Sequence, residues 1–258
     1  MIDLHRSALA PERVSALAEL LEQVAKAAPE LKSSVRTLFG DPANRPVAIS
    51  IIDWFWLSVI PEMYHRLTGH SPALLVDFTT VRRHIPGRQE TRVGWHIDAN
   101  FVGFDGAMCV FWVPVDPVGE HAPGLEFAVP AEPVERTAIE RAWIDVKARS
   151  ASTFSDADVA VMHGDAAVEY WRPSLQPGDF LVFDQWAVHR TDPRLDSAAR
   201  TAIEFRVFSP ESPPRRVASD DRLSAAVQPA TGDWIIRPAI DLVRDAARLS
   251  ADGARPSA

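Results

Sequence analysis

Cysteine is almost absent: Cys109 stands alone in 258 residues. No intramolecular disulfide can form, which fits a reducing compartment without demanding one. Lysine is scarce too, occurring only at Lys26, Lys32 and Lys147. Arginine carries nearly all of the positive charge, and with plentiful alanine and proline this reads as bacterial coding bias. Positive charge is in deficit overall, with 27 Lys and Arg against 35 Asp and Glu and a formal net charge of −8. A nucleic-acid surface, which needs clustered cations to displace counterions, is thereby disfavoured. No apolar run approaches the ~20 residues of a membrane helix, and the opening MIDLHRSALAPERV lacks the apolar centre of a secretory signal. The expectation is a soluble, cytoplasmic monomer or homodimer with neither a nucleic-acid nor a membrane partner.

A chain of this length lies near the upper limit of what one hydrophobic core organises. With no internal repeat and no interdomain linker visible, one domain over 1–258 is expected. Pro11 followed by ERVSALAELLEQVAKA sets Val14, Leu17, Leu20, Leu21 and Val24 at the spacing of an amphipathic helix with proline in its first turn. Ile51 to Leu67 is densely aromatic, with Trp54, Phe55 and Trp56, and Pro61 opens a second helical piece. This helical N-terminal part, 1–72, buttresses a sheet. From Ala73 to Phe208 the texture changes to ALLVDFTTV, AMCVFWVPV, GLEFAVP, GDFLVFDQWAV and RTAIEFRVF, short β-prone runs broken by proline and glycine. Such runs predict a sandwich or barrel. The extension over 209–258 leaves the sheet through SPESPPRR and offers a helix in DWIIRPAIDLVRDAARL, fraying from Ser250.

GWHIDANF, at Gly94–Phe101, carries the first chemical signal. Histidine and aspartate one residue apart, His96 and Asp98, point to one face if the segment is a strand. A facial metal site needs a third ligand from a distant strand. His189 is the best candidate, near the end of a strand that opens at the Pro177–Gly178 turn. A second pair of the same form, His163 and Asp165, competes, but lies so close before His189 that a barrel has little chain with which to close. Eleven residues past His189 stands Arg200, at the start of RTAIEFRVF. A buried guanidinium there can hold a carboxylate by two parallel hydrogen bonds. Three protein ligands leave three positions open on iron, enough for a bidentate 2-oxo acid and dioxygen, whose far carboxylate the arginine would fix. Arg206 is a rival clamp on the same strand face, which Glu204 shares, so these two are an internal ion pair or meet substrate.

WHID, APGLEFAVP, PGDFLVFDQWAVHRT and RTAIEF, in that order over Ala73–Phe208, resemble the phytanoyl-CoA dioxygenase-like branch of the Fe(II)/2-oxoglutarate-dependent oxygenases. The resemblance implies a mainly β fold, a double-stranded β-helix (jelly roll, cupin-like) flanked by N-terminal and C-terminal α-helices. It implies that His96, Asp98 and His189 ligate iron, that Arg200 clamps 2-oxoglutarate, and that the hydroxyl of Thr191 assists the clamp. Two departures stand out. Ile97 replaces the polar residue usual between the first two ligands, and VPAEPVERT replaces the usual glycine-serine-histidine turn.

Each residue also has a plainer reading. His96 alone is a satisfied core histidine, Asp98 a turn cap, His189 a strand end. Trp95, Phe101, Phe104 and Trp112 are candidates to line a substrate pocket, or are core. Arg82, Arg83, Arg88 and Arg92 read as a solvated charged loop. The expected activity is an iron-dependent dioxygenase using 2-oxoglutarate and O2, with ascorbate as reductant in vitro. It would hydroxylate, desaturate or cyclise a small molecule of bacterial specialised metabolism, releasing succinate and CO2. Halogenation is disfavoured because Asp98 fills the position a halide would need. The alternatives are a catalytically silent barrel and a non-oxygenase cupin-type metal protein, neither of which needs Arg200.

Overall fold

The computed structural model describes residues 1–27, 32–132, 134–149, 151, 153–163, 168–228 and 232–253. The chain opens with β1 (Ile2–His5) and the expected helix α1 (Pro11–Ala27), which buries Leu17, Leu21 and Val24. β2 (Lys32–Ser34) leads into α2 (Val35–Gly40), where Ser34 caps the N-terminus by accepting from the Thr37 N–H at 3.1 Å. α3 (Arg45–Trp56) and α4 (Ile60–Thr68) follow, with proline in the first turn of each and Gly69 ending α4 in the left-handed region at φ 75°. Among the described residues no single helix is long and apolar enough to cross a membrane.

The run ALLVDFTTV is split, by a single 3₁₀ turn at Val76–Phe78, into β3 (Ala73–Leu75) and β4 (Thr80–His84). A short helix α5 (Ala99–Val102), β5 (Met108–Pro114) and β6 (Leu125–Pro130) precede two helices, α6 (Arg136–Ala148) and α7 (Asp156–His163). Those helices occupy the region where the resemblance implies a turn. Then come β7 (Val168–Trp171), β8 (Phe180–Asp184), β9 (His189–Thr191) and β10 (Arg200–Phe208). The turn before β8 is as expected, with Gly178 at φ 104°.

After β10 the chain does not simply leave the sheet. It makes α8 (Arg215–Ser219) and returns as β11 (Ser224–Val227) and β12 (Ile235–Pro238) before α9 (Ala239–Gly253). The helix expected over DWIIRPAIDLVRDAARL therefore starts only after Pro238. Proline disfavours helical angles in the residue before it, and Ile235 and Ile236 suit a strand.

Antiparallel pairing orders the large sheet β1-β8-β5-β10-β3-β11-β12, with β4 paired to β10 and β2; the small sheet is β7-β6-β9. The sheets face each other through Val110, Trp112, Leu181 and Phe183 on one side and Leu125 and Phe127 on the other, with Phe127 edge-on to Phe183 at 5.2 Å. Helices contribute 39% of residues and strands 26%, so the β character lies in this core. This is the jelly-roll arrangement of a double-stranded β-helix with flanking helices.

Each sheet carries helices on its outer face. α1, α3 and α4 cover the large sheet, burying Cys109, Phe111, Val113, Phe180, Val182, Ile203, Phe205 and Val207. α6 and α7 cover the small sheet through Ile139, Trp143, Val146, Val159 and Met162. β5 is apolar at every position because alternate residues serve different layers. Trp54 stacks on Phe205 at 5.5 Å and donates its indole N–H to the Arg13 carbonyl at 2.8 Å, joining α3, β10 and α1. Phe205→Ala is expected to destabilise the fold by ~3–5 kcal/mol, read as a lowered urea midpoint. A loss below ~1 kcal/mol, the size of an ordinary substitution, would show that the helical layer does not depend on this contact.

Candidate active site

His96 and His189 meet across an isolated antiparallel bridge. Each backbone N–H donates to the other's carbonyl, at 2.9 and 3.0 Å, and the ring centroids lie 4.1 Å apart. Local backbone sets both rings: Nδ1–H of His96 donates to the Gly94 carbonyl and that of His189 to the Ala187 carbonyl, both at 2.9 Å. With Nδ1 facing a carbonyl the proton belongs there, and Nε2 keeps a lone pair. Burial drives both pKa values down, aided for His96 by the neighbouring His189, to about 3 for His96. Both rings are therefore neutral at physiological pH.

Asp98 is not on a continuous strand with His96, which corrects the expected geometry. Pairing ends after the bridge, because the Ala99 N–H turns to the Gln185 carbonyl at 2.9 Å. Asp98 takes helical angles of φ −74° and ψ −22°, and α5 begins. Its carboxylate is nonetheless fully buried and neighbours both imidazoles. Oδ1 accepts from Arg206 Nη2 at 2.8 Å, while buried Oδ2 has no hydrogen-bond partner. Burial alone raises the Asp98 pKa, but the Arg206 guanidinium overcomes it and holds the carboxyl below its usual range.

Arg206 belongs to a wider network. Its Nη1 donates to the Phe78 carbonyl at 2.6 Å and lies 3.1 Å from Glu204. Glu204 also accepts from Arg82 Nε at 2.6 Å and from the Thr80 hydroxyl at 2.8 Å. Despite burial, these cations keep Glu204 well below the usual carboxylate range. Arg82 is therefore not in a solvated charged loop, contrary to the expectation from sequence. It stands on β4, where TTVRRH alternates so that Thr80, Arg82 and His84 share the inner face while Val81 packs outward. That alternation is the signal that identifies Arg82. Of its companions, Arg88 is exposed and pairs with Glu90, and Arg92 donates to the Pro193 and Leu195 carbonyls.

Arg200 begins β10, 3% exposed, and donates Nε–H to the Pro123 carbonyl at 2.9 Å, with its guanidinium 5.3 Å from the Trp112 ring. Its Nη1 and the Trp112 Nε1 are both buried without partners. Burial lowers the Arg200 pKa to about 10, so the group stays charged. Thr191 Oγ1 accepts from the Val93 N–H at 3.1 Å, leaving its own proton to donate. Arg82, Val93, His96, Leu125, His189, Thr191, Arg200 and Glu204 line one cavity. It is narrow, with room for roughly one water molecule.

The candidate aromatics separate. Phe101, 39% exposed, lies edge-on to His96 at 6.4 Å. Trp112 lies beside Arg200. Trp95 and Phe104 are not brought to the imidazoles: Trp95 donates to Asp156 at 2.7 Å, and Phe104 packs on Trp186 at 5.5 Å. Both belong to the layer against α6 and α7, as does Ile97. His163 ends α7 and lines a separate cavity with Trp186, its Nδ1 bonded to the Val159 carbonyl at 2.6 Å; Asp165 lies outside the described residues. Among the described residues no three His, Cys, Asp or Glu side chains already stand at metal-holding distances. The imidazoles are drawn together, and Arg206 takes one Asp98 oxygen.

The fold and this inner face define the jelly-roll class. No protein-family profile and no curated protein sequence matches the chain. Solved structures of low sequence identity share the fold. SnoK, a non-haem α-ketoglutarate-dependent carbocyclase from nogalamycin biosynthesis, is 15% identical over 91% of each chain, with a TM-score of 0.58. AviO1 from Streptomyces viridochromogenes Tue57 is 16% identical over 83% of this chain and 91% of its own, at 0.56. SnoN, a non-haem α-ketoglutarate-dependent epimerase from nogalamycin biosynthesis, is 15% identical over 92% of this chain and 85% of its own, at 0.54.

His84 is also buried, and burial with nearby Arg200 lowers its pKa. For these three histidines the unfolded chain takes up protons, below the ordinary value of about 6.5, that the folded chain refuses. Their contribution to stability is complete above that value and is lost as pH falls below it. Urea midpoints should drop between pH 7.5 and 5.5, above the carboxylate range, and less steeply in His84→Asn. Equal midpoints would mean that the imidazoles are solvated.

Proposed function

We propose that this chain is a non-haem iron, 2-oxoglutarate-dependent dioxygenase of a small molecule, within a single oxygenase domain. The carrying observation is the inner face itself. Two neutral imidazoles with free Nε2 atoms and a carboxylate with an unpartnered buried oxygen meet the donor set of a facial iron site. An unpaired Arg200 N–H and a free Thr191 hydroxyl proton line the cavity that His96 and His189 share. Buried unmet polar atoms typically cost ~1–3 kcal/mol each, and a bound diacid and cation would relieve several at once. SnoN has been solved with Fe3+, α-ketoglutarate and nogalamycin RO, which supports a small-molecule substrate here.

In this reading His96, Asp98 and His189 hold iron, and Arg200 and Thr191 hold the far carboxylate of 2-oxoglutarate. Iron with its co-substrate supplies dioxygen activation for abstraction of hydrogen from an unactivated C–H bond, yielding succinate and CO2. The chain's own work is to present Nε2 of both histidines unprotonated, to keep Arg200 charged without water, and to exclude solvent. Arg206 is a poorer clamp than Arg200 because Phe78, Asp98 and Glu204 already occupy it. Of the residues that line the cavity, Arg82 and Val93 are half-buried and the others are buried, so solvent lies on the side of these two. Hydroxylation is the default outcome, with desaturation, cyclisation or epimerisation open to the same abstraction. Occupation of one position by Asp98 argues against halogenation.

Anaerobic Fe(II) with 2-oxoglutarate should give a weak visible charge-transfer band, abolished in His96→Ala, Asp98→Ala and His189→Ala. Loss in His163→Ala with retention in His96→Ala would overturn the ligand assignment. Arg200→Ala should weaken 2-oxoglutarate binding by ~3–5 kcal/mol, with Fe(II) binding little changed. A larger 2-oxoglutarate defect in Arg206→Ala would move the clamp there. Products formed in excess chloride should be oxygenated or desaturated; a chlorinated product by mass spectrometry would show that Asp98 does not ligate the metal.

A further inference from the structure

We propose that Arg206 is a positioning residue that occupies Oδ1 of Asp98, so that the carboxylate offers a metal Oδ2 alone and a neighbouring coordination position stays free. The proposal rests on the metal-site reading above. Oδ1 accepts from Arg206 Nη2 at 2.8 Å, whereas Oδ2 is equally buried and has no partner. Arg206 is itself fixed, by the Phe78 carbonyl at 2.6 Å and Glu204 at 3.1 Å. Glu204 is fixed in turn by Thr80 at 2.8 Å and Arg82 at 2.6 Å. Asp98 is 0% exposed, Arg206 3% and Glu204 6%, so water does not replace these contacts.

A carboxylate with both oxygens free can bind a cation through one or two of them, and its hydrogen-bond partners decide which oxygen ligates. After three protein ligands a six-coordinate ion has three positions left. A bidentate 2-oxo acid and dioxygen need all three, and a two-toothed Asp98 would take one. The guanidinium fork suits this task because it reaches Asp98, Glu204 and the Phe78 carbonyl together, which a point-like ammonium cannot. Arg82 and Arg206 balance Glu204 and Asp98, so the restraint adds no net charge beside the metal.

Mn2+ tests this without turnover: broadening of its electron paramagnetic resonance lines in 17O-enriched water counts coordinated waters. The native chain should keep three and Arg206→Gln two. Because Arg206→Gln leaves Glu204 less compensated, the double variant Glu204→Gln with Arg206→Gln, which removes one charge of each sign, guards against failure to fold; it should also show two. Three waters in both variants would overturn the proposal and make Arg206 a purely structural ion-pair member. Three waters with weakened 2-oxoglutarate binding would overturn it in favour of a clamp. A native chain that takes up no Mn2+, or a His96→Ala chain that takes it up unchanged, would overturn the metal-site reading and this proposal with it.

Discussion

Strand β10 is buried on both faces, and its period of two decides where everything else can stand. Ile203, Phe205 and Val207 face the helices, where Trp54 and Phe55 close on Phe205 at 5.5 and 5.4 Å. Arg200, Glu204 and Arg206 face the interior between the sheets. A shift of one residue would drive three charged side chains into the aromatic layer and expose the apolar set to the cavity. The pairing with β5 on one edge and β4 on the other therefore fixes the charged inner face as firmly as it fixes the core.

Buried charge on this scale survives only when paired and hydrogen-bonded. Asp98, Arg206, Glu204 and Arg82 form a chain of alternating sign that reaches solvent at Arg82, 16% exposed. Pairing is incomplete where the candidate chemistry lies. Asp98 Oδ2, Arg200 Nη1 and Trp112 Nε1 are buried there without hydrogen-bond partners.

The small sheet performs the complementary task. β9 pairs with β6 and then bridges His96, so that both imidazoles are carried on one edge and aimed by carbonyls two residues before each ring. α6 and α7 lie behind it, anchored by Trp95 and Arg190 to Asp156. Ile97 is buried against these helices. Its apolar character follows from what covers the sheet.

Much was legible before the fold was known. Local periodicity and turn chemistry give α1, the Pro61 and Gly178 starts, the runs that become β5, β8 and β10, and a sandwich or barrel, because these depend on near neighbours and on burial of one face; the jelly roll was implied by the family resemblance. The order of His96, Asp98, His189 and Arg200 points to the inner face, where His96, His189 and Arg200 line one cavity. Tertiary structure alone decides the rest. Asp98 leaves the strand because the Ala99 N–H finds the Gln185 carbonyl. Trp95 and Phe104 turn to a helical layer that VPAEPVERT did not announce, and Arg82 turns inward because β4 pairs with β10. Arg206 meets Asp98 across 108 residues of sequence, and a contact of that span leaves no periodic trace in either segment.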